Sequence, residues 1–178
     1  MAHLRQAQFT GTNNDADLCR TLMREYAHFL NESVGGQHIC VESLEEELAA
    51  LPGSYSEPAG TVLLAFNNDA PAGCVALKPL HLDHLIHPSE NPCEMKRLWV
   101  RPGQQGTGLG RQLADAIVTA ASERGYTAMY LDTMPQSMPA AYRLYLSMGF
   151  APVDRYTQNP VLRQTDALEI AFLRKQLQ

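Results

Sequence analysis

Apolar and polar positions alternate along this chain in two rhythms, and each change of rhythm marks a new element. Residues 3–9 alternate weakly and read as an edge strand. From Asp15, a candidate N-cap, the residues Leu18, Leu22, Tyr26, Phe29 and Leu30 share one helical face until Gly35 and Gly36 stop it. A second helix is predicted over 43–51, closed by Pro52, with a loop over 53–60. The stretch TVLLAFNNDAPAGCVALKPL reads as two strands turning around 67–71. After a polar segment at 81–92, CEMKRLWV (93–100) alternates. Glu94, Lys96, Leu98 and Val100 fall on one face, and Cys93, Met95, Arg97 and Trp99 on the other. Leu109, Leu113, Ala116, Ile117, Ala120 and Ala121 return to the 3.6-residue period, which predicts an amphipathic helix over 107–124 ending at Gly125. A strand at 127–133, a helix at 137–148 closed by Gly149, and strands at 150–156 and 166–174 complete the order βααβββαβαββ. This is an α/β (α+β) pattern: a mixed sheet of seven strands with four helices on its faces, in a single domain spanning 1–178.

Composition narrows what such a domain does. At 178 residues and 45% hydrophobic, the chain is sized for one core. Its longest apolar run, TVLLAF, is far short of the ~20 residues that span a membrane. The opening MAHLRQAQF has no secretory-signal features, so a cytoplasmic protein without membrane partners is expected. Cys19, Cys40, Cys74 and Cys93 form no CxxC pair and are expected to be reduced. A net charge of −5 argues against a nucleic-acid partner. That charge is uneven: residues 1–52 carry eight acids against three arginines, while the remainder is balanced. An acidic N-terminal third would favour an approaching cation, and self-association as a homodimer stays open.

The chemistry-bearing stretch is RPGQQGTGLGRQLADAI, a glycine-rich turn running into the helix. It is not a Walker loop, because Leu109 and Gly110 stand where Lys and Ser/Thr belong. It is not a dinucleotide fingerprint either, since Gly110 comes one residue too early. What remains is a run of backbone N–H groups, from about Gln105 to Arg111, ahead of a helix N-terminus that carries about half a positive charge. A diphosphate suits that cradle.

With its context, the string VRPGQQGTGLGRQLADAI resembles the acetyl-CoA signature Q/R-x-x-G-x-G/A of the GNAT superfamily of N-acetyltransferases, met here by Gln105, Gly108 and Gly110. The preceding strand CEMKRLWV and the later RLYLSMGF match the superfamily at the correct distances, so the resemblance covers residues 60–156. It implies the GNAT fold, a mixed and mostly antiparallel sheet of six to seven strands with about four helices. It also implies acetyl-CoA as cosubstrate, without a metal. The coenzyme A pyrophosphate would lie on Gln105, Gly106, Thr107, Gly108, Leu109, Gly110 and Arg111, and the pantetheine along Leu98, Trp99 and Val100. Many relatives keep an Asn where this chain has Met138, so Asp132, Thr133 or a backbone group would replace it.

Acetyl transfer needs a neutral amine, a stabilised oxyanion and a departing thiolate. An α-amine with pKa near 8 is about 10% neutral at pH 7, and a lysine-like amine only about 0.04%, so a base matters most for the latter. Glu94 stands where several superfamily members keep a catalytic glutamate, and it is the candidate base. Tyr145 occupies the general-acid position, with Tyr142 one turn earlier as fallback. A phenol at ~10 protonating a thiolate near 8.5 is uphill by about 2 kcal/mol, so hydrogen bonding to the thiolate is the alternative role. Backbone N–H groups near Trp99 and Val100 are candidates to polarise the thioester carbonyl.

By the same resemblance, the acceptor pocket would draw on Glu25, Tyr26, His28, Tyr55, Arg155, Tyr156 and Asn159. Arg97 or Arg155 would hold a carboxylate. The acceptor class suggested is a small amino-acid-like or polyamine amine. A protein or antibiotic acceptor, and a non-catalytic coenzyme A sensor, stay open. His81, His84 and His87 are read as a polar loop edging the pocket, and Glu45 to Glu47 as a solvated helix face.

Overall fold

The computed structural model describes residues 2–10, 14–33, 35, 41–81, 90–156 and 169–178. Seven strands form one sheet: β1 (Ala2–Gln6), β2 (Thr61–Asn67), β3 (Ala70–Pro79), β4 (Pro92–Val100), β5 (Ala128–Thr133), β6 (Ala151–Val153) and β7 (Ala171–Gln176). Their order across the sheet is β1-β2-β3-β4-β5-β7-β6. Among the described residues only the β4–β5 pairing is parallel. Four helices cover the two faces: α1 (Asp15–Ser33), α2 (Val41–Ala49), α3 (Leu109–Glu123) and α4 (Pro139–Ser147).

The faces hold separate cores. Leu22, Met23, Leu44 and Leu48 of α1 and α2 pack on Val62, Leu64, Cys74 and Trp99. Leu109, Leu113 and Ile117 of α3, with Tyr145 of α4, pack on Val75, Leu77, Cys93, Met95 and Val100. The buried stripe of α1 is Cys19, Leu22, Met23, Ala27 and Leu30, rotated slightly from the expected face so that Leu18, Tyr26 and Phe29 sit at its margin. Asp15 begins α1 but does more than cap it. Its carboxylate takes both arms of the Arg5 guanidinium at 2.6 Å and the Gln8 N–H at 2.8 Å, tying β1 to the helix start.

The strict alternation expected for β4 does not hold. Met95 and Val100 lie five residues apart, a spacing that puts side chains on opposite faces of an unbroken strand, yet both enter the α3-side core. The reason is an inserted residue: Trp99 pairs with Cys74 and Lys96 with Ala76, so β4 takes three steps where β3 takes two. Arg97 sits in this bulge at φ 57°. Beyond it the faces exchange, so Glu94 and Lys96 share the α1/α2 side with Trp99, while Leu98 and Val100 turn to α3.

Several ends also differ from expectation. Residues 106–108 stay in the turn and α3 begins at Leu109; the edge strand stops at Gln6, and β6 stops at Val153 instead of running to Tyr156. The second helix lies slightly earlier than expected and is followed by a single 3-10 turn, Gly53–Tyr55. Cys19, Cys74 and Cys93 are buried free thiols, and burial pushes Cys19 up to about 12. Cys40 and part of the predicted last strand, 166–168, lie outside the described residues. Among the described residues no helix is long and apolar enough to cross a membrane.

Gly73 faces the end of β4, and a methyl group built on it would overlap the Trp99 carbonyl oxygen, a backbone atom with no room to retreat. Gly73→Ala is therefore expected to lower Tm by about 5 °C or more in a thermal melt, the scale of a 1–3 kcal/mol overpacking cost.

Candidate active site

β4 and β5 pair at only three positions: Pro92 with Ala128, Cys93 with Met129 and Glu94 with Tyr130. β5 then continues against β7 as far as Thr133, while β4 continues against β3 to Val100. Among the described residues, the β5-facing edge of β4 from Met95 onward thus has no strand partner. Its backbone donors and acceptors line a gap that opens toward the C-terminal ends of both strands.

The glycine turn lies where β4 ends. Gln105 Nε2 donates to the Val100 carbonyl at 2.9 Å, and Thr107 Oγ1 donates to the Gln104 carbonyl at 2.7 Å. Asn67 holds the Gln104 side chain at 2.8 Å. Gly106 and Gly108 take φ 77° and 85°, conformations that any L side chain would resist. The first bond of α3 runs from the Gln112 N–H to the Gly108 carbonyl, so the N–H groups of Leu109, Gly110 and Arg111 have no partner within the helix. The cradle is shorter than the sequence suggested, because the Gln105 N–H is already bonded to the Pro102 carbonyl at 3.3 Å. Leu109 is buried as an anchor, whereas the Arg111 side chain pairs with Asp115 at the surface and contributes to the turn only through its backbone.

Across the gap, Glu94 is only 4% exposed. Its Oε1 accepts from the Tyr156 hydroxyl at 2.9 Å, and Lys78 and Lys96 flank it at 3.1 and 3.6 Å. Lys96 also donates to Asp132 at 2.8 Å. Burial opposes the charges of both Lys96 and Asp132. Their mutual attraction outweighs it, raising Lys96 and holding the Asp132 carboxyl below the usual carboxylate range. Asp132 Oδ1 is thus committed to Lys96. Met138 turns into an apolar contact with Leu30, Met134, Tyr26 and Ile170. Thr133 is buried and pairs with Ala171.

Aromatic rings fix the rest of this side. Tyr156 meets Tyr130 edge-on at 4.9 Å and Phe172 at 5.5 Å, and the exposed Arg155 lies 5.5 Å over the Phe172 ring. Tyr130 donates to Glu90, which also pairs with Arg174. Burial, with Glu94 alongside, pushes the Tyr156 phenol well above its ordinary value. Tyr145 packs edge-on against Phe150 at 5.9 Å on the α3/α4 side. The groups within electrostatic reach of its hydroxyl are Tyr26, Asp132 and Lys96, on elements of the opposite face, and burial pushes its phenol up as well. Tyr142 is half-buried at the margin of the same core.

The acidic N-terminal third is largely consumed by internal pairing. Glu25 takes Arg101 in a fork at 2.9 and 2.7 Å and the Trp99 indole N–H at 3.3 Å. Glu47 takes Arg97 at 3.0 and 2.9 Å and the Tyr55 hydroxyl at 2.8 Å. Glu45 takes Arg24. These contacts correct two readings. Glu47 turns inward to Arg97 instead of lying on a solvated face, and most of the N-terminal acids are paired instead of presenting an open field to a cation. His28 pairs with Glu32 at the surface. His84, His87 and Asn159 lie outside the described residues, and among the described residues no group of three ligand-type side chains could hold a metal. Sequence reading missed Lys78 and Glu47. Each is recognisable only once the β3–β4 register places Lys78 opposite Glu94 and α2 docks on the bulge.

The acetyltransferase (GNAT) family matches residues 18–150. The chain belongs to the GNAT family of acetyltransferases. An uncharacterized N-acetyltransferase of Schizosaccharomyces pombe is 37% identical over 150 residues, covering 83% of each chain. One from Dictyostelium discoideum is 26% identical over 90% of this chain and 94% of its own. Among solved structures, a GNAT-family acetyltransferase from Staphylococcus aureus superposes with TM-score 0.72 at 18% identity, each chain covered in full. The PaiA N-acetyltransferase of Thermoplasma acidophilum, in complex with coenzyme A, gives 0.71 at 16% over 99% of both chains. The GNAT fold is therefore shared with proteins of very different sequence, and this chain is an N-acetyltransferase of that family.

Four paired carboxylates set an acid limit on this GNAT domain. Arg5 holds Asp15 low and Arg101 holds Glu25 low; for Glu47 and Asp132, Arg97 and Lys96 overcome the opposing effect of burial. Each folded value lies below its unfolded one, so the unfolded chain binds protons first and the stability from these pairs, complete above about pH 5, is lost progressively as pH falls through the depressed folded values. Tm measured against pH should be flat above that range and drop below it, with a shallower drop in Asp15→Asn.

Proposed function

We propose that this chain transfers the acetyl group of acetyl-CoA to the amine of a small amino-acid-like acceptor. The observation that carries the reading is the juxtaposition of the open β4 edge with the α3 N-terminus: an unpaired strand edge suits an extended amide chain, and free N–H groups beside a helix dipole suit its diphosphate. The donor, when bound, supplies an acetyl thioester activated by a good thiolate leaving group. The chain's own groups do the rest. The N–H groups of Leu109, Gly110 and Arg111 bind the diphosphate, with Gly106, Thr107 and Gly108 shaping the turn and Gln105 bracing it against Val100. The backbone of Leu98, Trp99 and Val100 orients the pantetheine arm, and Tyr142 and Thr133 border it.

On the acceptor side, Glu94 is the base in this reading. Its burial means that the amine's proton reaches Oε1 by way of the Tyr156 hydroxyl. Tyr145 donates a hydrogen bond toward the sulfur from within the gap. In this reading Arg155 holds the acceptor carboxylate, and Tyr26 borders the same space. This favours an amino-acid-like acceptor over a polyamine, whose support lay in the acidic N-terminal third.

Thiol release over a panel of amino acids and polyamines, with acetyl-CoA binding followed in parallel, tests the assignment. Glu94→Gln is expected to lower turnover by roughly 100-fold or more, as loss of a general base does, with donor affinity preserved. Tyr145→Phe should cost less, about 10-fold. Unchanged turnover in both variants would remove these roles, and no acetylation of any amine would sink the function itself.

A further inference from the structure

Arg97 is the point at which β4 exchanges faces, and an arginine is poorly suited to its φ of 57°, a conformation that favours Gly, Asn or Asp. Such a conformation persists only where surrounding contacts impose it. Here the guanidinium, 11% exposed, is forked onto Glu47 of α2, and Glu47 is itself fixed by the hydroxyl of the buried Tyr55. Two residues on, the Trp99 indole is tied to Glu25 of α1 and flanked by Phe29 at 5.2 Å. Each N-terminal helix thus sends one carboxylate to the half of β4 that has left β5. We propose that the Glu47–Arg97 fork is a positioning device: it holds the bulge, and with it the open edge of residues 95–100 that receives the acyl donor, without touching either substrate. The inference rests on the donor reading above and adds to it the residues that keep the donor strand in place.

Trp99 is the chain's single tryptophan, so its emission reports the bulge directly, and coenzyme A serves as the probe of the edge. Arg97→Ala and Arg97→Gly both leave Glu47 without its cation and differ in whether the backbone tolerates the left-handed conformation. That penalty is worth roughly 5- to 30-fold in an equilibrium. The alanine variant is expected to shift Trp99 emission and raise the coenzyme A Kd by about 10-fold. The glycine variant should return Kd to within about 3-fold of the unaltered protein. Glu47→Gln should raise Kd by about 5-fold alone and add nothing to Arg97→Gly, since it acts only through Arg97. Equal Kd values for the alanine and glycine variants would overturn the proposal, as would Glu47→Gln with unchanged emission and Kd. Should circular dichroism show Arg97→Ala to be unfolded, the Glu47→Gln comparison decides alone. An unaltered protein that binds no coenzyme A overturns the donor reading instead.

Discussion

A strand that gains one residue loses its alternation, and in this chain the gain falls at Arg97. Before it, β4 offers Cys93 and Met95 to the α3 core and Glu94 and Lys96 to the other face; after it, Val100 joins the α3 core and Trp99 turns to α1. The same insertion lies just beyond the last β4–β5 pair, where one edge of β4 is released. A single backbone irregularity therefore coincides with a polar face holding Glu94, an apolar face anchoring the strand, and an unpaired edge between them.

Charges organise the neighbourhood of that irregularity, and they do so in pairs. Lys78, Glu94, Lys96 and Asp132 form a connected set across β3, β4 and β5, and Glu47 with Arg97 and Glu25 with Arg101 dock the N-terminal helices on β4. Buried charges are tolerable only when compensated in this way, and removal of one member exposes the desolvation cost of the other. α1 and α2 thus meet this face through two carboxylate–arginine pairs as well as through the apolar core of Leu22, Met23, Leu44 and Leu48.

Much of this was legible in the chain. The residue patterns located the seven strands and four helices of the described residues, most clearly where one face is apolar as in α1 and α3, and the glycine turn was recognisable because backbone requirements restrict which residues may stand there. Glu94 and Tyr145 were singled out by the GNAT resemblance; the structure puts Glu94 beside Tyr156, Lys78 and Lys96 and packs Tyr145 against Phe150 in the α3 core. The faces of β4 were misassigned because a bulge preserves the local residue pattern and changes only its phase. The N-terminal acids were taken for an open field because sequence counts charges without showing which are paired. Glu47 and Arg97 lie 50 positions apart, and nothing local to either announces the other.

The three-residue join between β4 and β5 has a mechanical meaning as well. Strands β1 to β4 form one continuously bonded plate and β5, β7 and β6 another, and the seam at Pro92–Ala128, Cys93–Met129 and Glu94–Tyr130 is where the plates are bonded. Where the backbones have parted beyond the seam, the plates are still tied by the Lys96–Asp132 pair and by the α3-side core, which takes Val75, Met95 and Val100 from one plate and Met129, Leu131 and Leu173 from the other.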